Sequence, residues 1–168
     1  MDFNLAIDTI ENSSDYKNFI KTEPEYYLVH VFTTVDSDNF DDDTWQIGYY
    51  SKETDKIVVF ENTNDAITVH PPAEALKKEE YIQKLHLDEL KISKKEATDI
   101  CTATLLEYYP RELFSKAICL LQNLPEFGNV WNITVVTLAM SVINIKIDAI
   151  TGKVIKHDKQ NLMNWNSK

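Results

Sequence analysis

Asp36, Asp38, Asp41, Asp42 and Asp43 form the one real concentration of ionisable side chains in this chain, and an oxygen-rich loop is what a calcium ion prefers. The spacing of a calcium-binding EF loop is absent. Counting from Asp36, position five is Phe40, no glycine follows it, and position twelve is Ile47 where a bidentate Glu would be needed. The cluster therefore reads as a solvated loop between two strands whose charges discourage edge-to-edge pairing. Asp36, Asp38, Asp41 and Asp43 are the ligands a cation would use if that reading failed.

Other reactive types point to no reaction. His30, His70, His86 and His157 are never within four residues of one another, and His30 alternates with apolar residues along a strand pattern. A surface or core imidazole fits it better than a ligand or base. Gly48, Gly128 and Gly152 are the only glycines, so neither a nucleophile elbow nor a phosphate-cradling loop can be written. Cys101 and Cys119 lack zinc-site spacing and read as small buried side chains. No catalytic residue, cofactor or metal is expected.

Trp45 and Trp131 each open an alternating run, Trp45-Ile47-Tyr49 and Trp131-Ile133-Val135, and core packing is the ordinary fate of such stripes. The pairs Tyr26-Tyr27 and Tyr49-Tyr50 place one ring of each on the opposite face, so an aromatic surface is expected to remain exposed. Tyr26, Tyr50, Trp45 and Trp131 are the candidates for contact with a protein partner.

The net charge of −10 is uneven: residues 1–91 hold 20 acids and 8 bases, and 92–168 hold 7 acids and 9 bases. An acidic half repels nucleic acid and anionic lipid, so neither is expected as a partner. The first ten residues carry Asp2 and Asp8 with no base, unlike a signal peptide. No run approaches the roughly 18 apolar residues of a membrane span. The cytoplasm is the expected location.

The positioning elements follow from periodicity. Ser93-Lys94-Lys95-Glu96 is a capping box, and Ala97, Ile100, Cys101, Thr104, Leu105 and Tyr108 fall on one face of the helix behind it, which Pro110 ends. A looser helical stretch covers Phe3 to Ile20, with Ser14 placed to cap a second short helix. Strands are expected at 26–35, 45–50, 56–60 and 130–138, while Glu112 to Leu124 suits either a helix or a short buried strand. Between the halves, turn residues and His70-Pro71-Pro72 lead into a charged helix expected from Ala73 to about Leu85.

The sharpest pattern is last: Ile143, Ile145, Ile147 and Ala149 alternate with Asn144, Lys146 and Asp148, then come Ile150-Thr151-Gly152 and Lys153-Val154-Ile155. This is a half-buried antiparallel strand, a turn and a short returning strand. The hairpin, with the capped helix before it, resembles the PepSY domain over about residues 93–158. That resemblance implies a helix packed on an antiparallel meander, with a strand at 116–122, and a propeptide or accessory module that binds and restrains peptidases. Thr54-Asp55-Lys56-Ile57-Val58 matches Thr151-Gly152-Lys153-Val154-Ile155 at constant offset, so a second, degenerate copy is expected in the first half.

The expected architecture is α+β, with an acidic lobe at 1–61, a connecting segment with a helix at 62–92 and a PepSY-like lobe at 93–168. The expected function is non-enzymatic protein binding or regulation. The alternative is a small-ligand protein or enzyme with a helix/sheet pocket near Asp36–Asp43.

Overall fold

Strict in-out alternation over long segments builds a sheet that is apolar on one face, and helices with a single apolar stripe can cover that face. The computed structural model describes residues 2–37, 44–63, 66–76 and 80–162, and it has this architecture. The elements are α1 (Phe3–Asn12), α2 (Ser14–Thr22), β1 (Tyr27–Asp36), β2 (Trp45–Ser51), β3 (Lys56–Thr63) and β4 (Ala66–Glu74). After a 3-10 turn at Leu87–Glu89 come α3 (Lys94–Tyr108), β5 (Phe114–Leu124), β6 (Gly128–Thr137), β7 (Ser141–Asp148) and β8 (Val154–Asn161). All eight strands form one sheet in the order β4-β3-β2-β1-β5-β6-β7-β8. Every neighbouring pair is antiparallel.

Each half thus runs helix first and then four strands, and β1 against β5 joins the two into a continuous sheet. The internal sequence match does not follow these positions. It lays the start of β3, third from the β1/β5 join on its side, over the start of β8, which is fourth on the other. Trp45 and Trp131 do occupy corresponding strands, β2 and β6, each next to the joining pair.

The helices lie on one face. Val31, Ile47, Phe60, Leu121, Trp131, Ile133, Ile145 and Ile147 belong to a single core with Phe3, Ala6, Ile7 and Ile10 of α1 and Ala97 and Cys101 of α3. The capping box forms as expected: Glu96 N–H donates to Ser93 Oγ at 3.2 Å and Ser93 N–H to Glu96 Oε2 at 2.8 Å. Of the expected stripe only Tyr108 leaves the core, because the helix ends there and its ring turns onto His157, centroids 4.3 Å apart. Ser13 rather than Ser14 caps α2, accepting from Tyr16 N–H at 3.1 Å.

The charged helix expected from Ala73 to Leu85 is not seen among the described residues of that stretch. Ile67 and Val69 pair with Asn62 and Phe60, and β4 runs on through Pro71 and Pro72 to Glu74. Prolines are tolerated there because β4 is an edge strand whose outer amides need no partner, and the register slips beside them. Residues 80–81 form a bend and 82–85 carry no regular structure. Its thin apolar stripe could not have anchored a helix as β3 anchors Ile67 and Val69.

The closing hairpin has the expected form. Asp148 Oδ1 accepts from the amides of Ile150 and Thr151, both at 2.8 Å, and Gly152 turns the chain at φ 76°. Burial works against the Asp148 carboxylate, but those amide bonds outweigh it and hold its pKa below the usual carboxylate range. Ala149 C=O accepts from Lys91 and Ile92 N–H, both at 3.0 Å, tying the hairpin to the segment that leads into α3.

Candidate functional site

Alternation leaves a second face on the sheet, and among the described residues no helix packs on it. Two cross-strand rows define its centre: Gln46, Phe32, Leu120, Asn132, Lys146 and Lys156, and beside it Thr34, Ile118, Thr134, Asn144 and Asp158. Phe32, Ile118 and Leu120 put apolar surface in the middle, flanked by amides and hydroxyls that bond one another. Asn144 Nδ2 donates to Asn132 Oδ1 at 2.7 Å and to Thr134 Oγ1 at 3.1 Å, and Lys146 Nζ donates to Asn144 Oδ1 at 2.6 Å. Such a connected network holds its donors in fixed directions. On the same face the His30 ring covers Gly48 so closely that a Cβ at position 48 would lie 2.1 Å from His30 Cε1. Burial pushes the His30 imidazole down to a pKa of about 4, so it is neutral at physiological pH.

One end of this face is walled into a groove. Residues 80–84 cross it, fastened by Tyr27 Oη donating to Ile82 C=O and Asn123 Nδ2 donating to Lys84 C=O, each at 2.8 Å. The groove encloses about 490 Å³ between Tyr81, Gln122, Leu124, Phe127, Lys146 and Lys156.

Two further cavities lie on the helix side. Beneath α3 an apolar space of about 160 Å³ is lined by Val35, Cys101, Leu105, Phe114, Ala117 and Ile133. Burial raises the pKa of Cys101 to about 12 and of Cys119 to about 11, so both thiols stay protonated and weakly nucleophilic. The third, about 360 Å³, lies beside Glu11, Tyr16, Tyr49 and His86. There Tyr49 Oη donates to Glu11 Oε1 at 2.9 Å. Burial first, and the Glu11 charge second, push the Tyr49 pKa strongly upward, which suits a fixed donor and not an acid or base near neutrality.

The expected contact residues are elsewhere. Trp45 and Trp131 are 0% exposed beneath the helices, and Tyr50 and Tyr26 are 1% and 8% exposed. Their rings therefore do not form a surface, because aromatic area is buried on both sides of β2: Tyr49 in the core, Tyr50 edge-on to Tyr27 at 5.8 Å. Asp36 ends β1 and faces Lys116 Nζ at 3.9 Å. Asp38, Asp41, Asp42 and Asp43 lie outside the described residues. Among the described residues no group of His, Cys, Asp and Glu is arranged to hold a metal, and no helix is long and apolar enough to cross a membrane.

Sequence reasoning missed the Phe32/Leu120 centre and the lysine groove. The polar-face residues Asn144 and Lys146 were legible as outward-facing, but their neighbours come from strands remote in sequence.

No protein-family model and no curated protein matches the chain. Among solved structures, the crystal structure of a "putative lipoprotein" from Clostridium difficile 630 is similar, with a TM-score of 0.54 and 13% identity over 87% of this chain and 90% of that one. At that identity the likeness speaks for the fold alone.

Proposed function

We propose that this protein is a non-enzymatic binding or regulatory module that engages a protein partner through the helix-free face of its sheet. One observation carries the reading: Phe32, Ile118 and Leu120 stand on a face that no helix among the described residues covers, beside a fixed array of amide and lysine donors. A mixed apolar and polar surface of this kind is what protein interfaces use. The sheet edges are poorer candidates, since β4 carries Pro71 and Pro72 and β8 carries Lys156 and Lys159, both devices that discourage strand addition. The PepSY resemblance of the second half, and the helix-then-four-strands order of both halves, support a module of two related lobes that restrains a peptidase or other protein. Two free, buried thiols support the cytoplasm as its location.

Photo-cross-linking side chains at Ile118 and Thr134, on the face, and at Asp99 and Thr102, on the outside of α3, test this in cells that make the protein. A discrete cross-linked protein from the face positions alone is expected. No product from the face, or equal yields from α3, would remove the proposal.

A second reading, a small-ligand protein, is favoured by the cavity beneath α3, which reaches Val35 beside Asp36. An apolar space of about 160 Å³ is large enough for benzene. On this reading benzene, toluene or indole raises the melting temperature, and no rise with any of them rejects it.

A further inference from the structure

We infer that the groove at the end of the helix-free face receives an acidic, extended segment of a protein partner, a carboxylate sitting between Lys146 and Lys156. The inference rests on the reading of that face as a protein-binding surface and adds the chemistry of what is bound.

The argument begins with an unfavourable pair. Lys146 of β7 and Lys156 of β8 are direct cross-strand neighbours, and both line the groove. Like charges directly opposite on one sheet face destabilise it. Among the described residues, neither ammonium has a carboxylate within ion-pair distance. Asp158 stands two residues along the same face without reaching them, and Glu126 is the one acid among the described residues of the groove lining. In a chain of net charge −10, two lysines held side by side with no carboxylate partner among the described residues mark a place where negative charge is to be supplied from outside.

Edge protection explains only half of this. Lys156 is on the edge strand β8, where a lysine discourages strand addition. Lys146 is on the interior strand β7, and its ammonium is tethered by Asn144, which is itself held by Asn132 and Thr134. A lysine held in place before binding loses less freedom on binding an anion than a free one does.

The rest of the lining selects a chain over a small anion. Tyr81, Leu124 and Phe127 offer apolar wall beside the lysines, and Gln122 offers an amide. About 490 Å³ leaves room for several residues of an extended peptide. Alternating acidic and apolar side chains would place carboxylates on Lys146 and Lys156 and apolar groups on the aromatic wall.

The test uses an eight-residue fluorescent peptide of alternating Glu and Leu, a Gln-for-Glu version and free glutamate. The acidic peptide should bind the full chain, more weakly as salt rises, and the Gln version should bind at least about tenfold more weakly. Lys146→Gln and Lys156→Gln should each weaken binding by about five- to tenfold. Lys156→Glu should abolish binding while raising the melting temperature by about 2 °C, since it turns a repulsion into an attraction. That gain separates the proposal from mere misfolding. No binding, equal binding of the Gln peptide, or a lowered melting temperature for Lys156→Glu would overturn it. Displacement by free glutamate at equal carboxylate concentration would make the occupant a small acid and overturn the assignment to a protein segment. If the lysine variants leave the cross-links from Ile118 and Thr134 intact, this inference fails while the protein-binding reading stands. If those cross-links never form, the reading itself fails.

Discussion

Trp131→Ala is expected to remove about 3–5 kcal/mol from the stability of the protein. Trp131 is fully buried on β6 and serves three elements at once. Its indole N–H donates to Ile92 C=O at 2.9 Å, in the segment leading into α3. Its ring meets Phe3 of α1 edge-on, centroids 5.9 Å apart. The truncation therefore opens a large cavity where both halves of the chain contribute, and it leaves the part-buried carbonyl of Ile92 without the indole N–H. Trp131→Phe fills most of the space and loses the hydrogen bond, so its cost should be about 1–3 kcal/mol. Urea unfolding with an unchanged slope is the measurement, and a loss below about 1 kcal/mol for the alanine variant would contradict this account of the core.

Acidification from pH 6.5 to 4 is expected to destabilise the protein through His30. Burial depresses its folded-state pKa from 6.5 to about 4, so between those values the unfolded chain binds a proton that the native state refuses. Stability from this group is complete above about pH 6.5 and declines as pH falls toward 4, below which no further loss comes from it. The shift corresponds to about 3 kcal/mol if taken whole, and to about 2 kcal/mol once the partial exposure of the ring is allowed for. Carboxylates such as Asp148, whose pKa is depressed, lose their contribution at lower pH. Subtracting the pH profile of His30→Gln isolates the histidine: the variant should lack the decline between pH 6.5 and 4, and identical profiles would refute the assignment. Because His30 lies against Gly48 on the helix-free face, its protonation would also disturb the proposed binding surface in the same pH window.

Where a segment's fate depended on its own neighbours, the residue order was enough to read it. Ser93 and Glu96 are three apart, so the capping box needs nothing remote, and it forms. Asp148, Thr151 and Gly152 make their turn with their own amides. The alternation of Ile143, Ile145 and Ile147 left only one way to bury them. The run from Ala73 to Leu85 was misread because remote partners claim its described ends: Ala73 and Glu74 pair with β3, while Tyr27 and Asn123 hold the carbonyls of Ile82 and Lys84. The two tyrosine pairs were misread for the same reason. Alternation separates Tyr49 from Tyr50, but cannot say that Tyr27 and Asp55 meet Tyr50 on the far side.

Residue order by itself determined an α+β chain with an acidic first half, a capped amphipathic helix and a closing hairpin, because each of these rests on contacts within a few residues or on period alone. Only the tertiary structure decided that β1 pairs with β5, so that two meanders become one sheet. With that pairing came the helix-free face, the juxtaposition of Phe32 with Leu120 and the groove walled by residues 80–84. The physical reason is that pairing between strands some ninety residues apart depends on which edges remain unsatisfied after each meander has formed, and no local periodicity records that.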